Sequence, residues 1–173
     1  MDYFELYGLP VRFHPDKEAV KKKFYELSKQ YHPDRFTLAG ETAQKEALQM
    51  AAWNNMSYKT LMNEDALVHY ILKLKAVAED EEKYNLPADF LMAMMELNEA
   101  VSDYEAAPEE PAKELAIRNW QEQMQPLQQQ LEALTKQYDQ TGEEALLQQI
   151  KDLYYRKKYL LRIQERINTF AAH

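Results

Sequence analysis

The stretch from Val20 to Phe36, VKKKFYELSKQYHPDRF, leaves this chain the fewest choices. Val20, Phe24, Leu27 and Tyr31 recur at i, i+4, i+7 and i+11, the period of a helix with one buried face. Lys21, Lys22, Lys23 and Lys29 fall largely off that stripe and belong in water. Pro33 has no backbone N–H and pushes the residue before it out of the α region, so the helix is expected to end near Tyr31. His32, Pro33 and Asp34, followed by Arg35, are then held on a loop beside a positive helix.

The other elements read as helices too. Three glycines in 173 residues, against 12 Tyr, 8 Met and many Leu, Glu, Gln and Lys, point to an all-α protein. Asp2 to Leu9 is a short first helix stopped by Gly8. A second His-Pro-Asp, His14-Pro15-Asp16, stands just before the basic helix, where Asp16 is placed to cap it by accepting backbone N–H groups. A third helix, about Glu41 to Met62, is expected to bury Leu48, Ala51, Asn55, Tyr58 and Met62, with Asn55 as a buried amide in need of partners. A short helix over about Ala66 to Lys75 follows. The chain then turns acidic and Pro87 opens a new pattern, so the expected division is a domain over 1–77, an acidic linker over 78–86 and a domain over 87–173.

That last part reads as a three-helix bundle. In its first helix, about Ala88 to Tyr104, Phe90, Met94, Leu97, Val101 and Tyr104 lie within roughly 40° of one line, a complete core face. Met92, Met95, Glu96 and Glu99 lie about 140–240° away from Phe90, with Leu91 at their edge. Apolar residues opposite a finished core either pack on another part of the chain or serve a partner, and flexible thioethers beside carboxylates suit a partner's irregular surface. The second helix, about Pro111 to Tyr138, carries Ala116, Trp120, Met124, Leu127, Leu131 and Leu134, with a kink or break expected at Pro126. The third, about Glu143 to Phe170, presents Leu146, Ile150, Leu153, Leu160 and Ile167, and Lys157, Lys158 and Arg162 read as a solvated face.

Charge and composition narrow the function. The net charge of −8 hides a partition: residues 17–35 carry six cations and three acids, residues 79–110 eleven acids and only Lys83. Such asymmetry suits a local charged docking surface or two solvated faces, not the broad basic footprint of a nucleic-acid binder. Without cysteine there is no disulfide, thiolate metal site or cysteine nucleophile. Phosphate loops, nucleophile elbows and His-Glu-x-x-His are absent, and His14, Asp16, His32 and Asp34 close no convincing ligand set, so neither an enzyme nor a metal or other cofactor is expected. The opening MDYFELYGLP lacks signal-peptide features and no apolar run is long enough for a membrane span, so a soluble, cytoplasmic protein is expected.

A short aromatic helix, a basic amphipathic helix ending in YHPDRF and a third helix antiparallel to it resemble a J domain. The wording DYFELYGLP and NMSYKTL, with a helical C-terminal half, is similar to the HscB family of iron–sulfur-cluster co-chaperones, strongly through about residue 62 and more loosely beyond. The chain departs from that family at Asn63-Glu64-Asp65-Ala66, which lack its usual Pro and Arg, and at Ser57, where Ala is usual. It also lacks the cysteine-rich extension of eukaryotic members, which favours a bacterial-type protein.

The resemblance implies an activator of a DnaK/HscA-type chaperone, which itself binds the ATP. Lys21, Lys22, Lys23, Lys29 and Arg35 would steer docking on an acidic surface, and His32-Pro33-Asp34 would engage the chaperone. FLMAMMELNEAV is similar to the family segment that holds the scaffold protein IscU. It implies scaffold-binding positions at Leu91, Met92, Met95, Glu96 and Glu99, with Tyr155 similar to the family's aromatic contact; for Tyr155, packing at the core edge or simple exposure remains open. The other readings are a J-domain adaptor for different clients and a structural helical protein that pairs with a coiled-coil partner.

Overall fold

The computed structural model describes residues 1–172, which form seven α-helices and one 3-10 turn. They divide into two compact units, Met1–Lys75 and the remainder from Ala76 onward.

In the first unit, α1 (Tyr3–Tyr7) survives at five residues because both ends are closed. Asp2 and Glu5 form a capping box, and Gly8 ends the helix in the left-handed region at φ 65°. Tyr3 stacks on Tyr70 at 4.4 Å, which fastens α1 to α4 (Glu64–Leu74). The basic helix α2 (Lys17–Gln30) starts where expected, with the Asp16 carboxylate accepting from the N–H groups of Glu18 and Ala19. Val20 and Leu27 are buried, and Phe24 stacks on Tyr58 of α3 (Glu41–Met62) at 4.2 Å.

The register of α3 differs from the sequence reading. Its buried line is Ala47, Asn54, Ser57 and Leu61, while Leu48 and Asn55 face outward. Large apolar residues mark one stripe, but the buried line on α3 includes the small Ala47 and Ser57 and the amide of Asn54, with Tyr58 half-buried against Phe24 beside it. The buried amide is therefore Asn54. It donates to the Phe24 carbonyl and to Ser28 Oγ, both at 3.1 Å, and accepts from the Tyr7 hydroxyl at 2.7 Å. Burial, reinforced by Tyr58, pushes the Tyr7 hydroxyl far up, so it stays a donor. Three helices meet on this one side chain, two turns or less from where α2 ends. Asn54→Ala is expected to lower the stability of the first unit by about 2–3 kcal/mol, because it strips partners from buried groups on α1 and α2; thermal denaturation would show it as a clear drop in Tm.

The second unit is the three-helix bundle α5 (Ala88–Ala106), α6 (Glu110–Thr141) and α7 (Ala145–Ala171). The α5 core face is the expected Phe90, Met94, Leu97, Val101 and Tyr104, joined by Ala100. Helix α6 runs through Pro126 without a break. Pro126 and Glu122 are both exposed, so the carbonyl that the proline leaves without an amide partner faces water. Lys157 is buried rather than solvated, unlike its neighbours Lys158 and Arg162.

The acidic stretch 78–86, expected to be a linker, groups with this second unit and is strapped to α7. Glu82 receives hydrogen bonds from Lys151 Nζ at 2.8 Å and the Tyr155 hydroxyl at 2.9 Å. Tyr84 stacks on Tyr155 at 4.7 Å and donates to Asp152 at 2.7 Å. Burial and the neighbouring Asp152 push the Tyr84 hydroxyl up to about 12.

Candidate functional sites

Each unit carries one exposed constellation. On the first, α2 stops at Tyr31, whose N–H still bonds the Leu27 carbonyl, and His32 swings to an extended conformation. A 3-10 turn, Pro33–Arg35, follows with proline at its first position, where a missing N–H costs nothing. The turn closes on itself: Arg35 N–H bonds the His32 carbonyl and Phe36 N–H the Pro33 carbonyl, both at 3.0 Å.

His32 does more than stand in the motif. Its Nδ1 accepts the Asp34 N–H at 3.2 Å, so the imidazole caps the turn in the tautomer that carries its proton on Nε2. The Asp34 carboxylate is aimed outward, 89% exposed, with the imidazole 3.6 Å away. Gln44 of α3 steadies the loop beyond, donating to the carbonyls of Phe36 and Thr37 at 3.0 and 3.2 Å.

The lysines are not equivalent. Lys21 and Lys23 lie 3.6 Å from Glu18 and Glu26, whereas Lys22, Lys29 and Arg35 have no ion-pair partner among the described residues. Lys29 and Arg35, with Ser28 and His32, border a shallow depression whose remaining wall is Tyr25. Tyr25 is 60% exposed, and the sequence reading passed over it. Its one signal is that it is an aromatic residue off the buried stripe of a basic helix.

On the second unit, Met92 and Met95 are 68% and 70% exposed, and Leu91, Glu96 and Glu99 are exposed beside them. Met94, between the two methionines, is 1% exposed. Alternation within one helical turn thus sends one sulfur into the core and two into water. Asn98 and Ser102 border the same surface. Both are tied to α7: Asn98 donates to the Tyr159 hydroxyl at 3.1 Å, and Arg166 donates to Ser102 at 3.2 Å and to both Glu105 oxygens at 2.6 and 3.1 Å. Those bonds to Arg166 hold the Glu105 carboxyl below its usual range. The patch therefore stands on a helix braced from behind.

Tyr155 does not share that exposure. It is 8% exposed, because the Tyr84 ring covers it and Glu82 takes its hydroxyl. Burial and that carboxylate push its hydroxyl upward. Of the open readings, packing is the one that the structure adopts.

The whole chain shares its fold with two solved HscB structures. The crystal structure of the human co-chaperone protein HscB matches with a TM-score of 0.74 at 23% identity, over 98% of this chain and 81% of that one. Chaperone HscB from Vibrio cholerae matches with a TM-score of 0.71 at 24% identity, over 99% and 98%. Residues 86–168 match the family model of the HSCB C-terminal oligomerisation domain. The second unit is a C-terminal domain of the HSCB type, and the chain as a whole has the HscB fold. That fold has a J domain as its first unit and the three-helix C-terminal domain as its second. Among the described residues, no helix is long and apolar enough to cross a membrane.

Proposed function

We propose that this chain is a cytoplasmic co-chaperone of iron–sulfur cluster assembly that activates the ATPase of a DnaK/HscA-type chaperone and delivers an IscU-type scaffold to it. The observation that carries the proposal is the Asp34 carboxylate, held out from a self-closed turn that also carries the unpaired Arg35, at the end of a helix whose Lys22 and Lys29 are unpaired. Those cations, with Lys21 and Lys23, speed and orient encounter with an acidic chaperone surface, an effect that weakens as salt rises. Asp34 then makes the main polar contact, and Pro33 fixes the turn. The activation is a matter of differential affinity: the turn binds the hydrolysis-competent state of the chaperone better than the other, and so raises its population.

His32 serves the same contact chiefly through Asp34. Capping residues contribute about 1 kcal/mol, so His32→Ala is expected to lower ATPase stimulation about fivefold at limiting co-chaperone. His32→Asn, whose side chain accepts the same N–H, should regain most of it. Equal losses in the two variants would show that the imidazole acts only by touching the chaperone.

Leu91, Met92, Met95, Glu96 and Glu99 hold the scaffold on the exposed side of α5. The experiment that tests the whole proposal is single-turnover ATP hydrolysis by the chaperone with this chain, the scaffold, or both. Stimulation by the chain, increased further when scaffold is present, is the expected result; no stimulation at any concentration would remove it. One observation favours a second reading of the C-terminal domain: the matched family model is described as an oligomerisation domain. Sedimentation of the chain alone and with scaffold separates self-pairing from capture of a partner.

A further inference from the structure

We propose that the thioethers of Met92 and Met95 are a peroxide-oxidation site that closes the α5 docking face; the inference rests on the scaffold-docking reading above. The chain has no cysteine, so the usual thiol route to oxidant sensing is missing and methionine is its most readily oxidised side chain. The structure gives its methionines unlike surroundings: Met50 and Met62 are half-buried, and Met1 and Met56 are exposed in the first unit. Met94 and Met124 are 1% and 2% exposed, whereas Met92 and Met95 project into water three residues apart on one helix face. Both border one shallow surface with Glu96 and Glu99.

The chemistry is a two-electron oxygen transfer. A sulfur lone pair attacks one oxygen of hydrogen peroxide, the S–O bond forms as the O–O bond breaks, and the other oxygen leaves with both protons as water. Each thioether becomes a sulfoxide, and one peroxide is reduced for each sulfur oxidised. The product replaces a flexible apolar contact with a strong hydrogen-bond acceptor. It does so beside the Glu96 and Glu99 carboxylates, which accept and cannot donate to it, while the Asn98 amide bordering the same surface already donates to Tyr159 and the Ser102 hydroxyl is the remaining donor. A partner surface that packs on the thioethers then meets an unpaired polar group at each. Methionine sulfoxide reductases reverse the change.

The test treats the intact chain with hydrogen peroxide, locates added oxygen by peptide mass spectrometry and measures affinity for an IscU-type scaffold by calorimetry. Met92 and Met95 are expected to oxidise well before Met94 and Met124. Affinity should fall about tenfold or more and return after reductase treatment. Met56, 58% exposed on α3, supplies the control: Met56→Leu should leave the peroxide effect in place. The double variant Met92→Leu with Met95→Leu should lose its sensitivity to peroxide, whatever affinity it starts from.

Equal oxidation of the buried and exposed methionines would overturn the inference. So would undiminished binding by a chain shown to carry both sulfoxides, or continued peroxide sensitivity in the double variant. Failure of the untreated chain to bind scaffold removes the docking reading and this inference together, whereas normal binding before and after oxidation removes this inference alone.

Discussion

Asp34→Asn is expected to abolish most of the chaperone ATPase stimulation, by about tenfold to a hundredfold at limiting concentrations, while the fold and scaffold binding stay as they are. The substitution keeps size and shape and removes one charge. That charge stabilises nothing inside the chain: the side chain is 89% exposed, the nearest charged or titratable group is the His32 ring at 3.6 Å, and the cap of the turn uses the Asp34 backbone N–H rather than its carboxylate. Stability should therefore change by no more than about 0.5 kcal/mol. At the partner, a hydrogen bond that a carboxylate accepts from a cationic or amide donor contributes roughly 1.5–3 kcal/mol, and its loss falls on the state that hydrolyses ATP. Circular dichroism, scaffold calorimetry and single-turnover hydrolysis on one preparation separate these effects. Stimulation that survives the substitution would remove the assignment of this turn as the chaperone contact.

The same turn shows what could be read from the chain and what could not. Pro33 ends α2 and Asp16 begins it for reasons local to a few residues, so both ends were legible. The core face of α5 was legible because large apolar residues repeat at helical spacing with no competing line. In α3 two lines compete. Leu48 and Met62 suggest one and Ala47, Ser57 and Leu61 the other, and it is the packing of α2 and α4 against α3 that selects the second. Asn54 was therefore missed as the hub and its neighbour taken instead. The fastening of Glu82 and Tyr84 to α7 pairs residues almost seventy positions apart or more. No periodicity encodes that pairing, and it is what hides Tyr155. Lys157 was misread because cations at consecutive positions suggest water, although a lysine stem can lie along apolar surface. The role of His32 as a cap was beyond the sequence for a different reason: the motif names the residue, and only coordinates show which nitrogen faces the turn.

Met92→Ala combined with Glu99→Ala is expected to weaken scaffold binding about a hundredfold. Neither side chain supports the bundle, since Met92 is 68% exposed and Glu99 is also exposed on the face opposite Phe90, Met94 and Leu97. The loss therefore reports the partner rather than the fold. Covering a methionine side chain at an interface contributes roughly 1.5–3 kcal/mol at full burial, and a carboxylate hydrogen bond a similar amount. Seven residues of helix place the two sites about 10 Å apart, far enough that the single losses, each about tenfold, should add in free energy. Stimulation of the chaperone by the chain alone should persist, because that contact belongs to the first unit. Met94→Ala supplies the contrast: it empties a buried site and should cost about 2–5 kcal/mol of stability, visible in denaturation before any binding is measured. If the double variant bound the scaffold with unchanged affinity by calorimetry, the two sulfurs and the carboxylates beside them would be ordinary solvated surface, and the scaffold would have to dock elsewhere on the bundle.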